Sequence, residues 1–183
     1  ADGLPASSLR YVPVWVDGAQ LDVHDPSIIS DRLPRIVYAG NLGPAQHLET
    51  LIKAAGELYR QQCLVAFEVY GTGASDEDLR QLAIVADAHN VTFHGRVEPA
   101  KAFEVASAAA AQVVSLRSSP LFAMTIPSKL AFSMAAASPI LYGLQGESAT
   151  LVEESGGGIA FNTNDVASLV HAVKRLLTLS PAA

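Results

Sequence analysis

The sequence predicts an α/β fold, a doubly wound sheet of six parallel strands with helices on both faces. Three observations carry that expectation. Apolar bursts of strand length alternate with helix-period segments along residues 35–183, the pattern of parallel strands joined by crossover helices. At 183 residues and 50% hydrophobic, the chain is long enough for one well-buried domain. It also shows neither a repeat at a period of roughly 20–50 residues nor a low-complexity tract, so a solenoid or tail is excluded.

The elements follow in order. Residues 11–17 (YVPVWVD) suit one short strand and residues 25–34 carry connector turn formers, so 1–34 read as a linker and edge segment on a domain of 35–183. The burst at 35–39 (RIVYA) is the first strand, and residues 47–61 follow it as a helix. A strand at 64–70 ends in YGTG, and a helix at 76–88 starts at Ser75, which with Asp78 resembles a capping box. A strand at 91–94 precedes a helix at 100–109, and a strand at 112–115 leads into a polar loop through residue 120. A helix at 128–137 enters behind Pro127, which fixes its first turn. Strands at 140–142 and 158–161 flank a helix at 147–154, and a last helix at 165–177 is capped by Asn164.

Composition removes several function classes. The net charge is −6 with no run of Lys or Arg, which excludes a nucleic-acid surface, since backbone phosphates demand clustered cations. Cys63 stands alone, so no internal disulfide forms and a reducing cytoplasm is the expected compartment; beside Leu64 and Val65 it reads as a core residue. The apolar run at 106–114 is far short of the ~18 residues of a membrane span. The start at Ala1 and Asp2 lacks the basic stretch of a signal peptide and reads as a boundary inside a longer protein.

In a doubly wound sheet ligands sit outside the carboxyl ends of the strands, so the residues after each strand are the candidates. After the first strand comes GNLG, where Gly40 and Gly43 bracket Asn41 in a turn that admits close backbone approach or is simply tight. After the second, YGTG begins like a dinucleotide fingerprint but has Asp76 where the third glycine belongs. After the third, His94, Gly95, Arg96 and Val97 offer backbone for a flat base and a charge that either pairs with a ligand or stays solvated. Arg117 occupies the loop after the fourth. The helix entry at Ser128 and Lys129 points amides and one cation outward, where phosphate is attracted. Two such ends facing one crevice suit a diphosphate. His47 follows the first turn and is read as a surface residue of a helix start, while His24, His89 and His171 lie in linker or helix faces. No catalytic base is read.

The succession of GNLG, YGTG, VTFHGRV and IPSKLAFSMAAASPIL resembles the C-terminal, donor-binding half of a GT-B glycosyltransferase. It is most similar to family 4 (group 1), in the branch that builds bacterial surface polysaccharides and uses a Pro-Ser-Lys-Leu motif. The likeness spans nearly the whole chain, the hinge-like segment 11–17 included. It implies a Rossmann-like domain that binds a nucleoside diphosphate sugar of the UDP or GDP type as substrate, with neither cofactor nor metal. Gly40, Asn41 and Gly43 would lie by the diphosphate, His94 to Val97 would hold the base, and Ser128 and Lys129 would meet the phosphates.

Four positions depart from the family pattern. Its Arg and Lys fall on Asn41 and Gln46, and the two glutamates of its E-x7-E motif fall on Met124 and Phe132. Losing each charge-assisted contact costs about 1–3 kcal/mol, for which Lys129, Arg96 or Arg117 would compensate, with Glu147 standing in at the ribose. The implied reaction is glycosyl transfer to a hydroxyl with retention of configuration. The acceptor site would lie in an N-terminal half of the same protein, the isolated chain would be inactive, and the full protein would sit in the cytoplasm or at the inner face of the membrane through that half. Two readings stay open beside it, a degenerate binding domain and half of a sugar-nucleotide epimerase. A receiver or flavodoxin-like module is a third and weaker reading, because a receiver needs acids at the end of the first strand and Gly40 and Asn41 supply none.

Overall fold

A computed structural model describes residues 34–179. The expected linker at 1–34, its strand at 11–17 and His24 lie outside the described residues, apart from Pro34. Six strands form one sheet: β1 (Arg35–Ala39), β2 (Ala66–Tyr70), β3 (Val91–Gly95), β4 (Ala111–Ser115), β5 (Ile140–Gly143) and β6 (Gly158–Ala160). All neighbours are parallel, in the order β3-β2-β1-β4-β5-β6. Seven helices connect or follow them: α1 (Glu49–Arg60), α2 (Asp76–Val85), α3 (Pro99–Ser107), α4 (Pro120–Ala123), α5 (Ser128–Ala135), α6 (Glu147–Ser155) and α7 (Val166–Thr178).

Strand alternation sorts the core onto two faces. Ile36, Tyr38, Phe67, Val69, Val113 and Leu141 pack with α1, α2 and α7 through Ile52, Leu58, Leu79 and Leu169. Their neighbours Val37 and Tyr70 meet α3 through Val105. Val114, Ile140 and Tyr142 meet α5 and α6 through Leu130 and Val152. The sheet is therefore covered on both sides, as near-continuous apolar strands require.

Chain order reverses between β1 and β4, and there the pairing is short. β1 pairs with β2 over all five residues, but with β4 only at Ile36↔Ala111 and Val37↔Gln112. Above that seam the strand ends part, and a crevice opens at the place where ligands of such sheets are held.

Several boundaries differ from expectation for local reasons. Gln62 is left-handed and Cys63 N bonds Leu58 O, so the chain turns at the end of α1, leaving Leu64 72% exposed and starting β2 at Ala66. Cys63 is half-buried against the core rather than inside it. α1 starts at Glu49 rather than 47, because a 3-10 turn at Pro44–Gln46 ends in a left-handed His47. α2 stops at Val85, three residues early, ahead of a left-handed Asp87. Ser75 makes no side-chain cap bond; the acids Asp76, Glu77 and Asp78 in the first turn favour that helix end instead. The last cap is Asp165, whose carboxylate accepts from Ser168 N at 3.2 Å, while Asn164 donates its own amide to Asn162. The polar loop after β4 also contains α4, started by Ser119 Oγ accepting from Phe122 N at 3.2 Å.

Candidate functional site

The crevice above the β1–β4 seam is a cleft of about 640 Å³. Its floor and walls come from the turns after β1, β2, β3 and β4 and from the start of α5. Of the residues expected at the site, Gly40, Asn41, Arg96, Val97, Ser128 and Lys129 line it. Gly43, His94 and Gly95 do not.

The turn after β1 is held from three sides. Gly40 N donates to Tyr70 O at 2.9 Å, Leu42 N to Thr72 O at 3.0 Å, and Ser75 N to Leu42 O at 2.8 Å, so YGTG runs alongside GNLG as its brace. Gly71 makes this possible: its φ is +135°, and a Cβ there would stand 1.8 Å from Gly40 O. Glycine is the one residue that fits such an approach. The apparent dinucleotide fingerprint is thus a packing motif for the first turn. Tyr38 Oη donates to Asn41 O at 2.6 Å, and Gly43 N donates to Gln46 Oε1 at 3.1 Å. Gln46, where the resemblance leads one to expect a lysine, turns its amide oxygen back to close the turn.

The loop after β4 is sewn to the same turn. Ser115 Oγ donates to Gln46 O at 2.6 Å, Arg117 N to Ala45 O at 2.7 Å, and Arg117 Nε to Pro44 O at 3.2 Å. Arg117 also lies 3.7 Å from Glu49 and outside the cleft lining, so it braces the turn; the charge facing the cleft beside Lys129 is Arg96.

Lys129 closes the opposite wall. The first hydrogen bond of α5 is Leu130 N to Pro127 O, leaving the amides of Ser128 and Lys129 ahead of it. The Lys129 stem is partly accessible, but Nζ is fully enclosed and has no hydrogen-bond partner. It sits 3.1 Å from the centre of the Tyr38 ring, and a Cβ on Gly40 would lie 3.7 Å from it. The two turns therefore meet across the cleft at Lys129 and Gly40. Burial holds the Lys129 ammonium well below the usual lysine range. A cation–π contact recovers about 0.5–2 kcal/mol, less than the several kcal/mol that removing an ammonium from water costs, so desolvation wins.

The rest of the lining is apolar or neutral. Tyr70, Ala102, Val114, Leu116, Pro127 and Phe132 contribute walls, and no Asp or Glu is among the lining residues. Phe132, where the resemblance leads one to expect a glutamate, packs edge-on to Phe103 at 5.5 Å. Met124, at the other such position, is 80% exposed and outside the lining, as is Glu147 at the start of α6. His94 turns aside, stacked on Tyr70 with ring centroids 4.3 Å apart and 3.9 Å from Glu68. Burial, then the Glu68 carboxylate accepting from its hydroxyl at 2.7 Å, raises Tyr70 far above the usual phenol range. Gly95 has a φ of +72° with open space beside it, so what fixes it is conformation and not crowding. His47 lies outside the lining, 3.4 Å from Glu49, with its Nδ1 buried.

A second hollow of about 400 Å³ lies over the ends of β4, β5 and β6 and shares Leu116 with the first; Ser118, Gln145, Asn162 and Asn164 line it without a charge. Among the described residues no three His, Cys, Asp or Glu gather as a metal site, and no helix is long and apolar enough to cross a membrane. Gln46 and Phe132 stand in the lining at positions the resemblance marks as departures and Thr72 within the YGTG turn, while Tyr38 and Ser115 entered the site from the geometry alone. Tyr38 is the penultimate residue of β1, and its place near the carboxyl end of an apolar strand is the signal by which the sequence could have shown it.

The family whose description reads Glycosyl transferases group 1 matches residues 33–179. Over 144 residues the chain is 26% identical to a probable glycosyltransferase, WbjE, of Pseudomonas aeruginosa, covering 78% of this chain and 35% of that protein. Among solved structures it is similar to WaaG, a glycosyltransferase involved in lipopolysaccharide biosynthesis, with a TM-score of 0.68 and 17% identity over 84% of this chain and 40% of that one. It is also similar to the pneumococcal O-GlcNAc transferase GtfA, solved with UDP and GlcNAc, with a TM-score of 0.62 and 17% identity over 79% of this chain and 30% of that one. At such identities the structural likeness is one of fold. The chain spans well under half the length of each of these proteins.

Proposed function

This chain belongs to the glycosyl transferases of group 1, and we propose that it is the donor-binding half of an enzyme that moves a sugar from a nucleoside diphosphate to a hydroxyl acceptor in bacterial surface polysaccharide synthesis. One observation carries the reading. Lys129 Nζ is buried without a hydrogen-bond partner at the point where the α5 start meets the Gly40 turn, and a buried amine with no acceptor beside it is completed by an anion. A diphosphate laid between Asn41 and Lys129 supplies it, while Arg96 and Val97 flank the base and the apolar wall at Phe132 borders the ribose.

In transfer, the bond from the anomeric carbon to the diphosphate oxygen breaks and a new bond forms to the acceptor oxygen, whose proton leaves. Charge collects on the departing diphosphate, where Lys129 and the first-turn amides of α5 stabilise it. The reaction proceeds with retention and without a metal, and the groups that handle the acceptor belong to the N-terminal half. The chain alone then binds donor without turnover. WaaG, which shares the fold of this chain, is involved in lipopolysaccharide biosynthesis, and that supports the reading of this half as part of surface polysaccharide assembly.

Titration with UDP, GDP and ADP, followed by amide shifts, tests the reading. Perturbations should cluster at Gly40, Asn41, Arg96, Val97, Ser128 and Lys129 and saturate with at least one nucleotide. Saturation with none of the three would leave a degenerate binding domain. Release of an isomerised sugar by the full protein in the absence of acceptor would replace transfer with epimerisation.

A further inference from the structure

We propose that Lys129 is uncharged in the empty cleft and that a diphosphate enters together with the proton that charges it. The inference rests on the donor reading and adds how that site acquires its charge. Geometry carries it. Nζ is enclosed and donates to no acceptor, and a fully buried amine with no anion beside it gives up its proton rather than remain a bare charge. The groups around it compensate for less than the burial costs. From β1 it faces the Tyr38 ring, whose hydroxyl is committed to Asn41 O. From the first turn it faces Gly40, and the end of β4 contributes only the neutral Ser115 to the cleft lining. β2 and the turn after β3 add Tyr70 and Arg96 to the lining, the latter a like charge, and α5 bears no ionisable side chain other than Lys129. No carboxylate lines the cleft.

A bound diphosphate reverses the balance. Its oxygens accept from Nζ and place negative charge beside it, both of which favour the protonated amine. The site therefore discriminates by charge. A weak or singly charged anion does not repay the transfer of a proton into the cleft, whereas a diphosphate does.

The lysines of the chain are Lys53, Lys101, Lys129 and Lys174, so carbon-labelled lysine gives a short spectrum in which the Lys129 signal is assigned by its loss in Lys129→Gln. In the empty chain that signal should titrate well below the usual lysine range and move upward when UDP saturates the site. Calorimetry of UDP binding in buffers of different ionisation enthalpy, above the empty-chain midpoint, should show uptake of about one proton, and affinity should fall about tenfold per pH unit until the bound form titrates. A Lys129 signal that stays protonated in the empty chain, or UDP binding without proton uptake, overturns the inference and leaves the donor reading standing. A neutral Lys129 with no binding of UDP, GDP, ADP or inorganic pyrophosphate overturns the donor reading and the proton uptake with it.

Discussion

Replacing Lys129 with methionine should stabilise the empty chain by about 1–3 kcal/mol, the cost of a buried donor without a partner, while removing diphosphate binding. The sign with pH follows from its lowered affinity for protons in the fold. Between the depressed folded value and the ordinary lysine value the unfolded chain binds more protons, so stability rises with pH across that window, and Lys129→Met should flatten the rise. Urea unfolding at several pH values below 10 measures it; above that the buried tyrosines Tyr38 and Tyr70, raised by desolvation, act in the opposite direction. Two glycines make a second contrast. Gly71→Ala drives a Cβ against Gly40 O and should cost at least about 3 kcal/mol. Gly95→Ala meets open space and should cost only the left-handed strain of about 1–2 kcal/mol. The glycines, Pro127 and Lys129 were legible as chain reversals near phosphate. That Gly71 exists to let Gly40 pass, and that Tyr38 lies under Lys129, was not, because both depend on distances between segments more than thirty and ninety residues apart.

Elements show where the cations are used. The loop after β4 and the 3-10 turn at Pro44–Gln46 are one unit, tied by Ser115, the backbone of Arg117 and its guanidinium. Arg117→Ala should therefore cost under about 1 kcal/mol of stability, as exposed ion pairs do, and leave UDP affinity within about twofold. Arg96→Ala should weaken UDP about tenfold, the loss of one charge-assisted contact. A comparison of the two dissociation constants separates brace from ligand contact. All six strands were readable as apolar bursts, since burial on both faces writes itself into composition. The ends were less so. Left-handed Gln62, Asp87 and His47 stop or delay helices without a glycine to announce them, and α4 escaped notice because four residues carry no periodicity.

At the scale of the molecule, the order β3-β2-β1-β4-β5-β6 puts every motif of the chain along one sheet edge. That convergence was the legible part, because parallel strands with crossover helices have a single ligand edge. Binding to the folded form alone predicts that UDP at a hundredfold excess over its Kd stabilises the chain by about 2.7 kcal/mol, or roughly 5–10 °C in Tm at this size. Thermal melts with and without nucleotide read this directly, and Lys129→Met should show no shift. Two ladder steps, Ile36 with Ala111 and Val37 with Gln112, pair the two halves of the sheet. A pyrophosphate bridging the loops above so short a seam ties its two sides to one another, so UDP should slow hydrogen exchange at the seam itself, well below the atoms it touches.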